Sequence, residues 1–232
     1  MRLIDNKAVF STVSFDYWRG RGPARLTPDE KFLIENYLYK RLKTMEAGTG
    51  VGRILFAMQD LGFSSLVGFD YIPDLIEQAR KRDSARSIRF EVQDAISLNY
   101  EDASFDQIFY SQQILCLIEK ESPRLSALRE AYRILRPGGT ALLSFLSFEA
   151  RSRSTFYAPY LTYLKLLRNV SGSRLTIQYL PWLRLDSKFN WRSLLDSGPY
   201  VYRYRVEEIG RLLQEVGFQI VAIGSSYQIM EG

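Results

Sequence analysis

The 232-residue chain contains no histidine. This removes every His-based catalytic triad or dyad at once, together with the commonest metal ligand. A general base would have to be Asp, Glu, Tyr, Lys or water. There is one cysteine, Cys116, so an intramolecular disulfide framework is excluded and a zinc site finds too few ligands. Cys116 lies among Ile114, Leu115, Leu117 and Ile118 and reads as a buried small hydrophobe. No apolar run approaches the ~18 residues that span a bilayer. Residues 1–7 lack the apolar region of a signal peptide, and a cytoplasmic location is expected. No Gly-Lys pair exists, so the phosphate-cradling Walker loop is absent. The remaining composition, 46% hydrophobic and 25% charged, is that of an ordinary globular protein.

Glycine is concentrated where it matters. Glu46, Gly48, Gly50 and Gly52 form an E-x-G-x-G-x-G run, with a helical pattern directly behind it from Arg53. This reads as strand, tight turn and helix start. Glycine allows positive φ and close approach of a ligand to the backbone, and the helix start presents unpaired N–H groups. A dinucleotide fingerprint, G-x-G-x-x-G, would need glycine at Arg53 or Leu55 and fails. Asp70 closes a short apolar run, 65–70, and stands 18 positions after Gly52. A carboxylate there can accept from both hydroxyls of a ribose; it can equally cap the helix at Pro73. Residues 88–93 alternate apolar and polar and lead to Asp94, a loop cap or a ligand contact. Residues 105–110 form a fourth strand. Asp106, at its start, reads as structural, because ligands bind at the carboxyl ends of such strands. A helix, 123–135, then a turn at 136–139 and a fifth strand, 140–145, follow.

The glycine run resembles the first motif of class I S-adenosylmethionine-dependent methyltransferases, and 133–140 resembles the stretch before their fifth strand. The resemblance covers about 40–147 and resumes near 200. Lys43, Thr44 and Met45 are less apolar than usual for the first strand, and Glu46 stands where Asp is commoner. The fold implied is α/β: a doubly wound, seven-stranded, mostly parallel Rossmann-like sheet of order 3-2-1-4-5-7-6, its last strand antiparallel. A cap insertion follows strand 5, and the strands of the tail are 200–205 and 218–223. The domains expected are an arm and helix at 1–43, a methyltransferase domain at 44–146 and 200–232, and a cap at 147–199. The implied cofactor is S-adenosylmethionine. Glu46, Gly48, Gly50 and Gly52 would face its methionine end and Asp70 its ribose. Asp94 and Ala95 would face its adenine, and Tyr71 and Ser111 complete the set. No metal site is expected.

Two segments carry no motif. In 1–43, Thr27, Pro28 and Glu30 mark a helix start. Before it, Tyr17 and Trp18 sit in an aromatic arm that could cover the ligand. In 151–205, ten lysines and arginines face two aspartates, a local charge of +8 against +5 for the whole chain. Aromatics are interleaved. Such a mixture suits a small aromatic or acidic molecule, or single-stranded nucleic acid. The apolar run 156–167 could line a pocket, pack a dimer or lie in a membrane interface, in that order of preference. Trp18, Gln112, Tyr160 and Arg184 are taken as substrate contacts, and Tyr17 or Tyr110 as the base if one is needed. The function expected is O- or N-methylation of a small molecule, by a monomer or a homodimer. The alternatives are an RNA methyltransferase, or a scaffold that binds the cofactor without catalysis. Against RNA, no separate RNA-binding domain and no Asn/Asp-Pro-Pro-aromatic tetrapeptide is present.

Overall fold

A computed structural model describes residues 25–111, 113–155, 157–185 and 188–231, with Leu185 described for its backbone alone. The arm expected at 1–24 lies outside them. The first described helix, α1 (Pro28–Tyr37), starts as its sequence dictates: Thr27 Oγ1 accepts from Glu30 N at 3.3 Å and Glu30 Oε2 accepts from Thr27 N at 2.9 Å. This reciprocal cap satisfies two N–H groups that the helix itself cannot.

A right-handed α/β succession follows: β1 (Thr44–Ala47), α2 (Arg53–Asp60), β2 (Leu66–Asp70), α3 (Pro73–Arg82), β3 (Ile88–Val92) and β4 (Phe105–Tyr110). After these come α4 (Ile114–Leu117), α5 (Glu121–Ile134) and β5 (Leu135–Leu143). The five strands make one parallel sheet of order β3-β2-β1-β4-β5. Alternation along the strands divides the core between two faces. Val67, Phe69, Ile108 and Tyr110 pack with Ala127, Leu128 and Ala131 of α5. Leu66 and Phe109 pack on the other face with Ile34 of α1 and Leu55 and Met58 of α2. Each such buried side chain contributes about 1.5–3 kcal/mol, and helices on both faces are what let a parallel sheet bury both.

Asp106 is structural: it accepts from Lys43 N at 2.8 Å and pairs with Arg136 at 2.6 Å. Cys116 is buried and accepts from Leu146 N at 3.1 Å.

The tail departs from expectation in detail. Tyr200–Tyr202 (β9) pairs antiparallel with Tyr179–Pro181 (β6) instead of joining the main sheet as a full strand. Its backbone meets the chain leaving β5 at a parallel bridge between Ser147 and Tyr204, and its side chains share the core with the sheet. After α8 (Val206–Val216) and its left-handed stop at Gly217, residues 218–223 make no ladder. Phe218 and Ile220 keep the period-two alternation and pack on the core, so the pattern is present without the pairing.

The insertion, expected as a cap, comprises α6 (Glu149–Ser152), α7 (Ala158–Ser171), β6, the hairpin β7 (Arg184–Leu185) and β8 (Lys188–Phe189), and a 3₁₀ turn (Trp191–Leu195). Its keystone is an ion pair. Arg168 donates to both oxygens of Asp196, at 2.7 and 2.6 Å, and to the carbonyls of Thr176 and Tyr179. Arg168 is 5% exposed and Asp196 3%. Leu161 and Leu164 face inward, whereas Tyr163, Leu166 and Val170 of α7 are exposed, so the helix is not apolar-buried all round. A short helix, α9 (Ser226–Glu231), ends the described chain. Among the described residues no helix is long and apolar enough to cross a membrane.

Candidate active site

The carboxyl ends of β1, β2, β3 and β4 lie along one edge, because the register is parallel throughout: Glu46 stands opposite Gly68 on one side and Phe109 on the other, and Asp70 opposite Val92. The turn leaving β1 has positive φ at Gly48 (64°), Gly50 (55°) and Gly52 (81°). That conformation is strained for residues with a Cβ. It also holds the turn against β2. Thr49 N donates to Phe69 O at 2.9 Å, and Gly50 N to Asp70 Oδ2 at 3.0 Å. Asp70 Oδ1 accepts from Ile72 N at 3.0 Å, so the carboxylate does cap the following chain. Each oxygen keeps a second lone pair for a hydroxyl. Burial pushes Asp70 above the usual carboxylate range, against the pull of these N–H groups.

Glu46 is 1% exposed and its carboxylate accepts from Thr49 Oγ1 at 2.7 Å. Burial pushes it up to about 7, opposed by the Thr49 bond and by the charge of Arg53. Ser111, directly after β4, is buried, and its hydroxyl finds no partner among the described residues. Gln93 N donates to Asp70 O at 3.1 Å, which draws the Asp94 loop to the same edge. There Asp94 Oδ1 accepts from Ile96 N, and Ala95 is buried. Tyr71 is half-buried directly after Asp70. The set expected for the cofactor is thus brought together at one edge. Gly48 faces Ile114 of α4, whose Cδ1 lies 2.2 Å from where a Cβ would stand, so this short helix closes the turn from above. Gly50 has open space around it.

The other expectations fare differently. Tyr110 is fully buried, its ring edge-on to Phe69 at 6.5 Å, and burial pushes its hydroxyl well above the phenol range. This placement removes the support for Tyr110 as a base; the side chain belongs to the core, as the period-two step from Ile108 requires. Tyr160 donates to Ser193 O at 2.9 Å and packs edge-on to Tyr157, an internal joint of the cap. Arg184 is exposed on the β7–β8 hairpin. Tyr17, Trp18 and Gln112 lie outside the described residues. Three contributors escaped the sequence reading. Thr49 fixes Glu46, and its signal was its position three residues on. Ile114 covers Gly48. Arg124 of α5 donates to Ile118 O and Glu119 O, to the Tyr179 hydroxyl at 3.1 Å, and stacks 3.6 Å from the Tyr202 ring centroid. It bolts the cap to the sheet domain.

An open parallel sheet with acids and a glycine turn at its carboxyl edge is a doubly wound α/β domain, the kind that binds ligands outside the carboxyl ends of its strands. Residues 45–143 match the family model of the methyltransferase domain. The chain is 29% identical over 147 residues to the demethylmenaquinone methyltransferase of Deinococcus radiodurans, covering 60% of this chain and 58% of that one. It is 32% identical over 149 residues to a ubiquinone/menaquinone biosynthesis C-methyltransferase of a Geobacter species, covering 61% of each. The matches thus span less than two thirds of these relatives. Among solved structures, a SAM-dependent methyltransferase from Methanosarcina mazei superposes with a TM-score of 0.65 at 22% identity, over 85% of this chain and 87% of that one. Over residues 45–143 this chain is thus similar to the methyltransferase-domain family, and its fold is that of the SAM-dependent methyltransferase from Methanosarcina mazei.

Proposed function

We propose that the protein transfers a methyl group from S-adenosylmethionine to a small aromatic or acidic molecule held beneath the 147–199 cap. The observation that carries this is the junction of Glu46, the Gly48–Gly52 turn and Asp70, three pieces from adjacent strands locked by the Gly50–Asp70 bond. The residues suit the cofactor. Asp70 offers acceptors to a pair of ribose hydroxyls, the buried Ser111 hydroxyl awaits a partner, and Glu46 can answer an ammonium. Asp94 and Ala95 stand at the same edge for an adenine. Bound there, S-adenosylmethionine supplies an electrophilic methyl on a sulfonium.

The chain's own part is positioning. Holding reactants in line can contribute about 7–11 kcal/mol. A cover over the site that kept water out would strengthen every electrostatic contact inside. With no histidine, this arrangement suits an acceptor that needs little proton removal, such as a phenolate or the electron-rich carbon beside one. The two bacterial relatives are named for demethylmenaquinone and for ubiquinone/menaquinone C-methylation. This supports carbon, besides oxygen or nitrogen, as the acceptor atom.

RNA as acceptor draws support from the exposed Arg174, Arg184 and Arg192 of the cap. However, Tyr157, Tyr160, Tyr179, Tyr202 and Tyr204 are turned inward and engaged with one another or with Arg124, not offered as stacking platforms. The small molecule is therefore preferred. The test is calorimetry with S-adenosylhomocysteine, then methyl transfer to phenolic and carboxylic acceptors and to total RNA across a salt series. RNA transfer falling steeply with salt, with no small-molecule turnover, would reverse the choice.

A further inference from the structure

Three arginines are buried in and under the cap, and two of them are fully served. Arg168 has Asp196 and two carbonyls; Arg124 has two carbonyls, the Tyr179 hydroxyl and the Tyr202 face. Arg203 differs. It is 8% exposed, and among the described residues its side chain makes one long bond, to Ser147 O at 3.2 Å, and its buried Nε finds no partner. Among the described residues no carboxylate lies within ion-pair distance. Glu149, close by in sequence to Ser147, accepts from Ser147 Oγ at 2.9 Å instead. The charge nearest in effect is another cation, Arg151 of α6, stacked 4.7 Å over Tyr157. Burial first, then Arg151, pulls Arg203 down to about 10. A buried cation with a like-charged neighbour and an unserved donor is costly to the free fold. Such a cost persists at sites that work on a ligand.

Its location fits a ligand. Ser147 follows the carboxyl end of β5, and Leu146 is bonded to Cys116 of α4, the helix that roofs Gly48. Contacts thus run from Arg203 through Ser147 and Leu146 to α4 and from α4 to the glycine turn, and Tyr157 is close enough to act on the Arg203 charge.

We infer that Arg203, with Arg151, binds an oxyanion of the acceptor, a carboxylate or a phenolate on an aromatic ring. Arg203 supplies the free Nε–H, Arg151 adds charge, and Tyr157 lines the ring. This rests on the methyltransferase reading for the identity of the ligand as acceptor, but the anion site itself can be tested without it.

The experiment uses the whole protein, free and loaded with S-adenosylhomocysteine. Thermal unfolding and calorimetry are run with benzoate, 4-nitrophenolate and neutral benzamide. The expected result is protection by one or both anions and none by benzamide; whichever anion binds tells carboxylate from phenolate. Arg203→Met should raise the anion's Kd by about tenfold or more, with Arg203→Lys in between. The Met variant's ligand-free Tm should equal or exceed that of the parent, since an unpaired buried charge has gone. A Met variant with a depressed Tm and unchanged anion protection would overturn the inference, as would a parent protein that binds neither anion better than benzamide. Failure of S-adenosylhomocysteine to bind would count against the cofactor reading alone, because the free protein is titrated separately.

Discussion

Thr49 Oγ1 donates to Glu46 Oε2 at 2.7 Å, a bond between the first loop of the glycine turn and the last buried acid of β1. It leaves Glu46 poised between its two protonation states near neutrality, with burial pushing it up to about 7 from an ordinary 4.5. If Glu46 answers the cofactor's ammonium, only its ionised form does so. Affinity for S-adenosylhomocysteine should then rise about tenfold between pH 6 and pH 8, and Glu46→Gln should flatten that slope. The free protein should behave in the opposite sense. A raised folded pKa favours folding fully below about 4.5, and the gain is lost as pH rises through about 7. Calorimetry across this range decides the matter; affinity independent of pH in the parent would remove Glu46 from the ligand.

Asp70 is anchored by Gly50 N and Ile72 N, so its oxygens are fixed before any ligand arrives. A fixed bidentate acceptor loses little entropy on binding two hydroxyls. Asp70→Ala should weaken S-adenosylhomocysteine binding by about tenfold or more. Unchanged affinity in a correctly folded variant would reject the ribose assignment.

The legible parts of this protein are those set by near neighbours. The Thr27–Glu30 cap, the individual strands and the placing of Asp70 behind the glycine turn follow from spacing within about twenty residues or from strand alternation, while the strand order is what the family resemblance implies. What was not legible depends on distant partners. Arg168 is one of the ten basic residues counted in 151–205, yet it reaches Asp196 across 28 positions and is buried. Composition counts its charge without showing that it is spent internally. Tyr200–Tyr202 has the alternation of a sheet strand, but Tyr179–Pro181 of the cap claims it first. Tyr110 was legible and misjudged: position two beyond Ile108 places it in the core rather than at the open end.

This division predicts two classes among the cap arginines. Removing Arg168 leaves Asp196 as an unpaired buried charge and orphans two carbonyls. Arg168→Ala should cost about 3–5 kcal/mol, read by denaturant unfolding, and lower acceptor turnover through loss of the cap. Arg174, Arg184 and Arg192 are exposed, and their triple replacement by Gln should move stability by no more than about 0.5 kcal/mol per site. Equal destabilisation by the two sets of substitutions would place the cap's strength in its net charge instead of in the pair.

Gly68 sits in the middle of β2, where a side chain is ordinarily favoured, and its φ is not positive. Space, not conformation, demands it. A Cβ there would lie 2.5 Å from Leu55 Cδ1 and 2.9 Å from Thr49 Oγ1. Leu55 can turn only by disturbing a fully buried face of α2, and Thr49 only by releasing Glu46. Gly68→Ala should therefore cost about 1–3 kcal/mol from overpacking. It should also weaken S-adenosylhomocysteine binding, although residue 68 makes no contact with a ligand in the assignment above. The two effects separate on comparison with Thr49→Val, which breaks the Glu46 bond without adding volume. If the glycine acts through Thr49, both variants should shift the pH dependence of cofactor affinity in the same direction, and only Gly68→Ala should carry the overpacking penalty. A Gly68→Ala protein with parental stability and parental affinity would show that β2 tolerates the methyl and that the Thr49–Glu46 contact does not depend on the bare backbone beside it.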